Sequence, residues 1–214
     1  MSGPHAAAMA HLSAADDRMA ALIARTGPCR LGLFTEKALG QPQMLTALVL
    51  AIVSQQLSPK ASDTIFARVR ALIEGDITAE GLLSLPEERL RGAGLSGAKA
   101  RSVRDLADHV ERGALPLERL SAMTDEEVIA ALSAVRGIGR WTAEMVLIFE
   151  LGRLDVLPVG DLGVQKGLQK LFHLRALPTP DRLTKLCRPF RPYRSIASWY
   201  LWRINDEKPA RQEA

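Results

Sequence analysis

Cysteine is scarce in this 214-residue chain, where Cys29 and Cys187 are the two thiols. They are too few and too far apart in sequence for a thiolate cluster, a zinc ribbon or a disulfide framework, and that usage points to a reducing compartment. Two cysteines by themselves anchor no iron–sulfur cluster. The histidines His5, His11, His109 and His173 show no metal-ligand spacing. Long apolar runs are missing too: Met44 to Val53 gives way at once to Ser54, Gln55 and Gln56, well short of a membrane span. Met1 to His11 lacks the basic start and long apolar stretch of a secretory signal, so the expectation is an intracellular, cytoplasmic protein. No internal repeat and no low-complexity linker interrupts the chain, and no alternating strand pattern is convincing.

What is there begins with a mild excess of positive charge, net +4, with a pI near 9.3. That balance suits a polyanionic partner without requiring one. At 47% hydrophobic the chain can bury a core as one domain, or as two lobes folding together. Residues 1–12 read as a flexible tail and 13–214 as the folded part.

Periodicity is helical nearly throughout, so the class is all-α. Ser13 reads as an N-cap for Ala14 to Ala24, closed by Gly27 and Pro28. Met44, Leu48 and Ile52 mark an apolar helix, and Ser58 with Pro59 starts another whose face carries Ile65, Val69 and Leu72. Ala98 to Val110 follows the turn Gly94-Leu95-Ser96-Gly97. Thr124 and Glu127 have capping-box spacing ahead of Val128, Leu132 and Val135. Val164, Leu168 and Leu171 share one side of a helix after Asp161, and Tyr193 to Asn205 forms an aromatic-rich last helix.

Between two of these helices lies Val135-Arg-Gly-Ile-Gly-Arg-Trp-Thr-Ala143. So short a joint needs positive φ, which Gly137 and Gly139 permit, and glycine also removes side chains that would block a close neighbour. The second helix then starts near Arg140, where backbone amides and the helix dipole form an anion site suited to phosphate. Such a site, with Gly137, Gly139, Arg140 and Thr142, grips a nucleic-acid backbone without reading sequence. By itself the Gly-Ile-Gly is equally compatible with a plain helix turn.

Leu132 through Leu147, in a motif spanning residues 125–150, and Leu157-Pro158-Val159-Gly160-Asp161, within a loop at 157–163, resemble the helix-hairpin-helix and glycine/proline-rich loop with aspartate of the HhH-GPD base-excision DNA glycosylases. Gly139-Arg-Trp-Thr-Ala143 and Ile52-Val-Ser-Gln-Gln-Leu-Ser58 most resemble the 3-methyladenine DNA glycosylase II branch, which removes alkylated bases. The similarity runs from about Gln41 to Arg203. It implies a two-lobed helical fold with the active site between the lobes, acting as a monomer on double-stranded DNA containing alkylated bases, with no membrane partner. About forty residues precede Met44, too few for the β-rich N-terminal domain of well-known bacterial members.

By this resemblance Asp161 is the catalytic carboxylate. Breaking the bond between base and deoxyribose builds positive charge on the sugar, and a fixed carboxylate stabilises it and can orient water. As a residue alone, Asp161 reads first as the N-cap of the helix it precedes. Strand-cutting relatives carry a Schiff-base lysine where this chain has Trp141, so hydrolysis without strand cleavage is expected. Trp141 and Trp202 match base-pocket positions, where aromatic faces attract a cationic alkylated base; Met145 stands where an aromatic can occur. Gln56 matches the residue that fills the gap behind a flipped nucleotide, although it also reads as a polar helix end. The carbonyls of Ser133, Val135 and Ile138 match a monovalent-cation site for Na+ or K+; no other cofactor is required and no iron–sulfur cluster is expected. Lys99, Arg101 and Arg104 are candidate phosphate contacts or a solvated helix face. Two rival readings stand beside these, a non-catalytic lesion-recognition protein using the same hairpin, and a glycosylase for uracil, oxidised or mispaired bases.

Overall fold

The structure, a computed structural model, describes residues 5–31 and 41–206, with side chains from residue 43 in the second segment. Among the described residues all regular structure is helical. In chain order the helices are α1 (Ala6–Ala15), α2 (Asp17–Thr26), α3 (Gln41–Ser54), α4 (Pro59–Arg70), α5 (Ala79–Ser84), α6 (Glu87–Gly92), α7 (Gly97–Glu111), α8 (Asp125–Ser133), α9 (Arg140–Phe149), α10 (Leu162–Leu171), α11 (Pro180–Leu186) and α12 (Arg194–Asp206). No helix among the described residues is long and apolar enough to cross a membrane. The chain divides into two compact units, Met1–Phe34 with Gly152–Ala214, and Thr35–Leu151.

In the first unit, residues expected to be a flexible tail are instead structural. The alanine-rich segment Ala6–Ala15 is α1, a composition with high intrinsic helix propensity, and it buries Met9 and Leu12. Residues 1–4 lie outside the described residues. Ser13 sits inside α1 and caps nothing; the break comes at extended Asp16, whose carboxylate accepts the amides of Arg18 at 2.9 Å and Met19 at 3.4 Å and so starts α2. Gly27 closes α2 at φ 83° with its amide on the Ile23 carbonyl, as the sequence suggested. Met19, Leu22, Leu168, Leu171, Ile196 and Leu201 build the core of this unit, and buried Tyr200 donates its hydroxyl to the Gly27 carbonyl at 2.9 Å.

The second unit is organised on α3 and α7. Buried Met44, Leu48, Val49 and Ile52 make α3 a core helix, and Ala100, Val103, Leu106 and Ala107 form the inner face of α7. Ser58 caps α4 with Pro59 in its first turn, and the Thr124–Glu127 capping box starts α8, both as their spacing implied.

Candidate active site

Asp161 and Trp202 belong to the first unit. The amide of Asp161 closes a turn onto the Pro158 carbonyl at 3.0 Å, and Gln165 Nε2 ties the same loop through the Val159 carbonyl at 2.9 Å. Asp161 is the N-cap of α10: its Oδ1 accepts the Val164 amide at 2.7 Å and also the indole N–H of Trp202 at 2.8 Å. One oxygen of this carboxylate thus both caps α10 and holds the Trp202 indole. The approach of α12 depends on two glycines one turn apart on α10. A Cβ on Gly163 would lie 2.8 Å from Trp202 Cδ1 and 3.0 Å from Asp161 Oδ1, and one on Gly167 would overlap the Leu201 carbonyl. Asn205 completes the joint, donating to the carbonyls of Gly163 at 2.8 Å and Leu201 at 3.1 Å. The result is a carboxyl group with a fixed position at a helix N-terminus. A carboxylate so placed stabilises a cation developing next to it.

The hairpin lies in the second unit. After α8 the Val135 amide bonds the Leu132 carbonyl and the Ile138 amide bonds the Val135 carbonyl, each at 3.1 Å, while buried Val135 and Ile138 pin the turn inward. Gly137 has φ 79°, but Gly139 does not share the positive φ expected of both: at φ −98°, ψ 173° it is the extended N-cap of α9. A Cβ there would meet nothing within 4 Å, and no side chain caps the helix end by a hydrogen bond. The Arg140 guanidinium is held by Glu126 at 2.5 and 3.1 Å and by Glu144 at 3.1 Å, an arrangement that lowers the pKa of Glu126 and raises that of Arg140. At the hairpin Arg140 therefore presents its backbone amide, with its charge already matched. Thr142 is buried. The carbonyls of Ser133, Val135 and Ile138 fall in this turn, and Val135 shares its oxygen with the Ile138 amide. Among the described residues no three His, Cys, Asp or Glu side chains gather as metal ligands, whereas backbone carbonyls are hard oxygen donors of the kind an alkali cation takes.

Gln56, Trp141, Thr142 and Met145, singled out separately in the sequence, share one hollow of about 510 Å³ with Ala51, Ser54 and Gln55. That volume lies in the range of small-molecule pockets, ~300–1,000 Å³. Trp141 and Met145 stand one turn apart on α9, and the indole is 48% exposed. Gln56 follows the end of α3 in the left-handed region at φ 58°, a conformation uncommon for a non-glycine residue.

The basic cluster on α7 serves the fold. Lys99 Nζ donates to the carbonyls of Val53 at 2.7 Å and Gln55 at 2.6 Å, and burial lowers its pKa. Arg101 pairs with Glu87, and Arg104 donates to the carbonyls of Leu83 and Leu85. Sequence reasoning did not single out Gln55, which donates Nε2 to the Gly137 carbonyl at 2.9 Å, or Asp105, which accepts the Arg136 amide at 2.7 Å. It missed Gly163 as well, although the Gly163/Gly167 spacing was a usable sign of close helix packing.

Residues 49–192 match the HhH-GPD superfamily of base excision DNA repair proteins. Over 198 residues the chain is 34% identical to DNA-3-methyladenine glycosylase 1 of Schizosaccharomyces pombe, spanning 91% of this chain and 85% of that one. It is 32% identical to the alkylbase DNA glycosidase-like protein mag2 of the same organism, spanning 91% of each. The structure of the S. pombe 3-methyladenine DNA glycosylase Mag1 in complex with abasic DNA aligns with a TM-score of 0.81 at 33% identity, covering 94% of this chain and 97% of that one. A DNA-3-methyladenine glycosidase from Bacillus halodurans aligns at 0.79 and 36% identity, covering 94% and 88%. With the hairpin, the aspartate loop and these likenesses in agreement, the chain belongs to the HhH-GPD superfamily of base excision DNA repair proteins.

Proposed function

We propose that this protein is a monofunctional DNA glycosylase that flips alkylated bases such as 3-methyladenine out of double-stranded DNA and hydrolyses their glycosidic bond. The observation that carries this reading is Asp161, clamped at Oδ1 by the Val164 amide and the Trp202 indole. A lesion-binding protein gains nothing from an anion held near phosphates; an enzyme that develops positive charge at the sugar does. As the C1′–N bond breaks, its electron pair leaves with the base. A cationic alkylated base departs neutral without needing a general acid, water adds at C1′, and the proton lost from that water passes to solvent. Asp161 stabilises the oxocarbenium-like sugar and orients the water.

The other residues take supporting parts. Trp141, with Met145 beside it, offers its exposed face to the flipped base, attracting a cationic ring by cation–π contact, and Trp202 supplies a second aromatic group for the base while holding Asp161. Gln56 fills the gap in the duplex. Gly137, Gly139, Arg140 and Thr142 supply the hairpin that grips phosphate through backbone amides, and the Ser133, Val135 and Ile138 carbonyls would hold a monovalent cation, which would supply positive charge for a DNA phosphate. With Trp141 in place of a Schiff-base lysine, the product is an abasic site in an intact strand. The protein works as an intracellular, DNA-associated monomer.

Release of free base from methylated duplex DNA under single-turnover conditions tests this, comparing the parent chain with Asp161→Asn. Release of methylated purines by the parent, with DNA binding but no release by the variant, is the expected outcome. Binding without release by either protein overturns the proposal.

A further inference from the structure

Three side chains at a spacing of three residues lie along one edge of α7, one meeting the end of α3 and two meeting the hairpin. Lys99 Nζ donates to the carbonyls of Val53 and Gln55, at 2.7 and 2.6 Å, where α3 ends and the turn carrying Gln56 begins. Ser102 lies under the hairpin so closely that a Cβ on Gly137 would fall 2.5 Å from its Oγ. Asp105 Oδ2 accepts the Arg136 amide from the same hairpin at 2.7 Å. Gln55 Nε2 closes the loop by donating to the Gly137 carbonyl at 2.9 Å.

The Gln56 turn and the phosphate hairpin are thus two outgrowths of a single strut. Gln56 stands at φ 58°, and a glutamine holds that backbone only when its surroundings dictate it. Beside the Leu57 amide, which closes the turn onto the Ser54 carbonyl, Lys99 does so by satisfying two carbonyls at the end of α3 with one ammonium, a charge that also suits the negative end of the α3 dipole. The geometry points to Lys99 as a positioning residue for base flipping: it sets the Gln56 turn at a fixed distance from the phosphate-gripping hairpin, so that the gap is filled in register with the gripped strand. Lys99 touches neither base nor sugar in this role. The inference rests on the proposed gap-filling part of Gln56.

The test uses a duplex bearing one 7-methylguanine, either paired with cytosine or opposite an abasic site, where flipping has no partner base to replace. Lys99→Met keeps the aliphatic stem and removes the donors. It is expected to lower the single-turnover excision rate from the paired substrate about tenfold, the scale of a lost charge-assisted hydrogen bond. The rate opposite the abasic site and the affinity for undamaged duplex stay as in the parent. Lys99→Arg, which can still donate to both carbonyls, retains the paired rate. Adding Lys99→Met to Gln56→Ala slows the paired reaction no further than Gln56→Ala does, because the lysine acts through the glutamine turn. Equal loss on both substrates, or no loss on either, overturns the proposal while Gln56→Ala still discriminates between them. If Gln56→Ala itself leaves both rates unchanged, the gap-filling reading falls and this inference falls with it.

Discussion

The indole N–H of Trp202 and the amide of Val164 converge on the same oxygen of Asp161, at 2.8 and 2.7 Å. Trp202 is thereby a hydrogen-bond partner of the acid, in addition to any flat surface it offers a base. Trp202→Phe separates the two parts, since it keeps an aromatic face and removes the donor. We expect the single-turnover excision rate to fall about tenfold, in line with the loss of a hydrogen bond to a charged acceptor, with DNA affinity unchanged. A phenylalanine variant as fast as the parent would assign Trp202 to stacking alone.

The joint between α10 and α12 has no room for added methyl groups. In Gly163→Ala the new Cβ presses on the Trp202 ring and on Asp161 Oδ1, so activity falls along with roughly 1–3 kcal/mol of stability. Gly167→Ala meets the Leu201 backbone carbonyl, which yields less readily than a side-chain tip, and the larger loss belongs there. Urea midpoints of the two variants check the order, and a Gly167→Ala protein as stable as the parent would contradict it.

Asp155 sets an acid limit on the first unit. Burial pushes its carboxyl pKa upward, but Arg194, at 2.7 and 2.8 Å, and Arg191, at 3.2 Å, outweigh it and leave the pKa below the ordinary value. A carboxylate depressed on folding contributes stability that is present above its unfolded pKa, ~3.9, and is lost as pH falls through the folded one. Thermal unfolding followed from pH 6 to pH 2 should therefore show a steeper acid loss in the parent than in Asp155→Asn, while at neutral pH the variant melts lower.

Neither thiol is built to react. Burial pushes the pKa of Cys29 up to about 11 and that of Cys187 up to about 12. At neutral pH both stay protonated and covered, so a thiol reagent should label them in denaturant and leave the folded protein unmodified. Rapid labelling of the native protein would show that a unit opens more readily than its packing implies.

What the sequence determined by itself is everything carried by neighbours within a few residues. The Thr124–Glu127 capping box, the Ser58-Pro59 start of α4, the Gly27 stop and the apolar faces of α3 and α10 are local signals, because caps and helical periodicity act between residues one to four positions apart. The hairpin and the aspartate loop were legible for the same reason, each being a contiguous motif. Local reasoning failed where a short-range signal had two solutions: Ser13 has a capping side chain, but the alanine-rich stretch around it propagates as helix and the break moves to Asp16. The tertiary structure alone decided which partner each long polar side chain meets. Lys99, 46 residues from Val53, turns its ammonium onto the carbonyls at the end of α3; Arg140, 14 residues from Glu126, is paired with it; and Trp202, 41 residues from Asp161, bonds its carboxylate. Charges and donors of this kind respond to distance in space, and separations of tens of residues are closed only when the apolar faces pack.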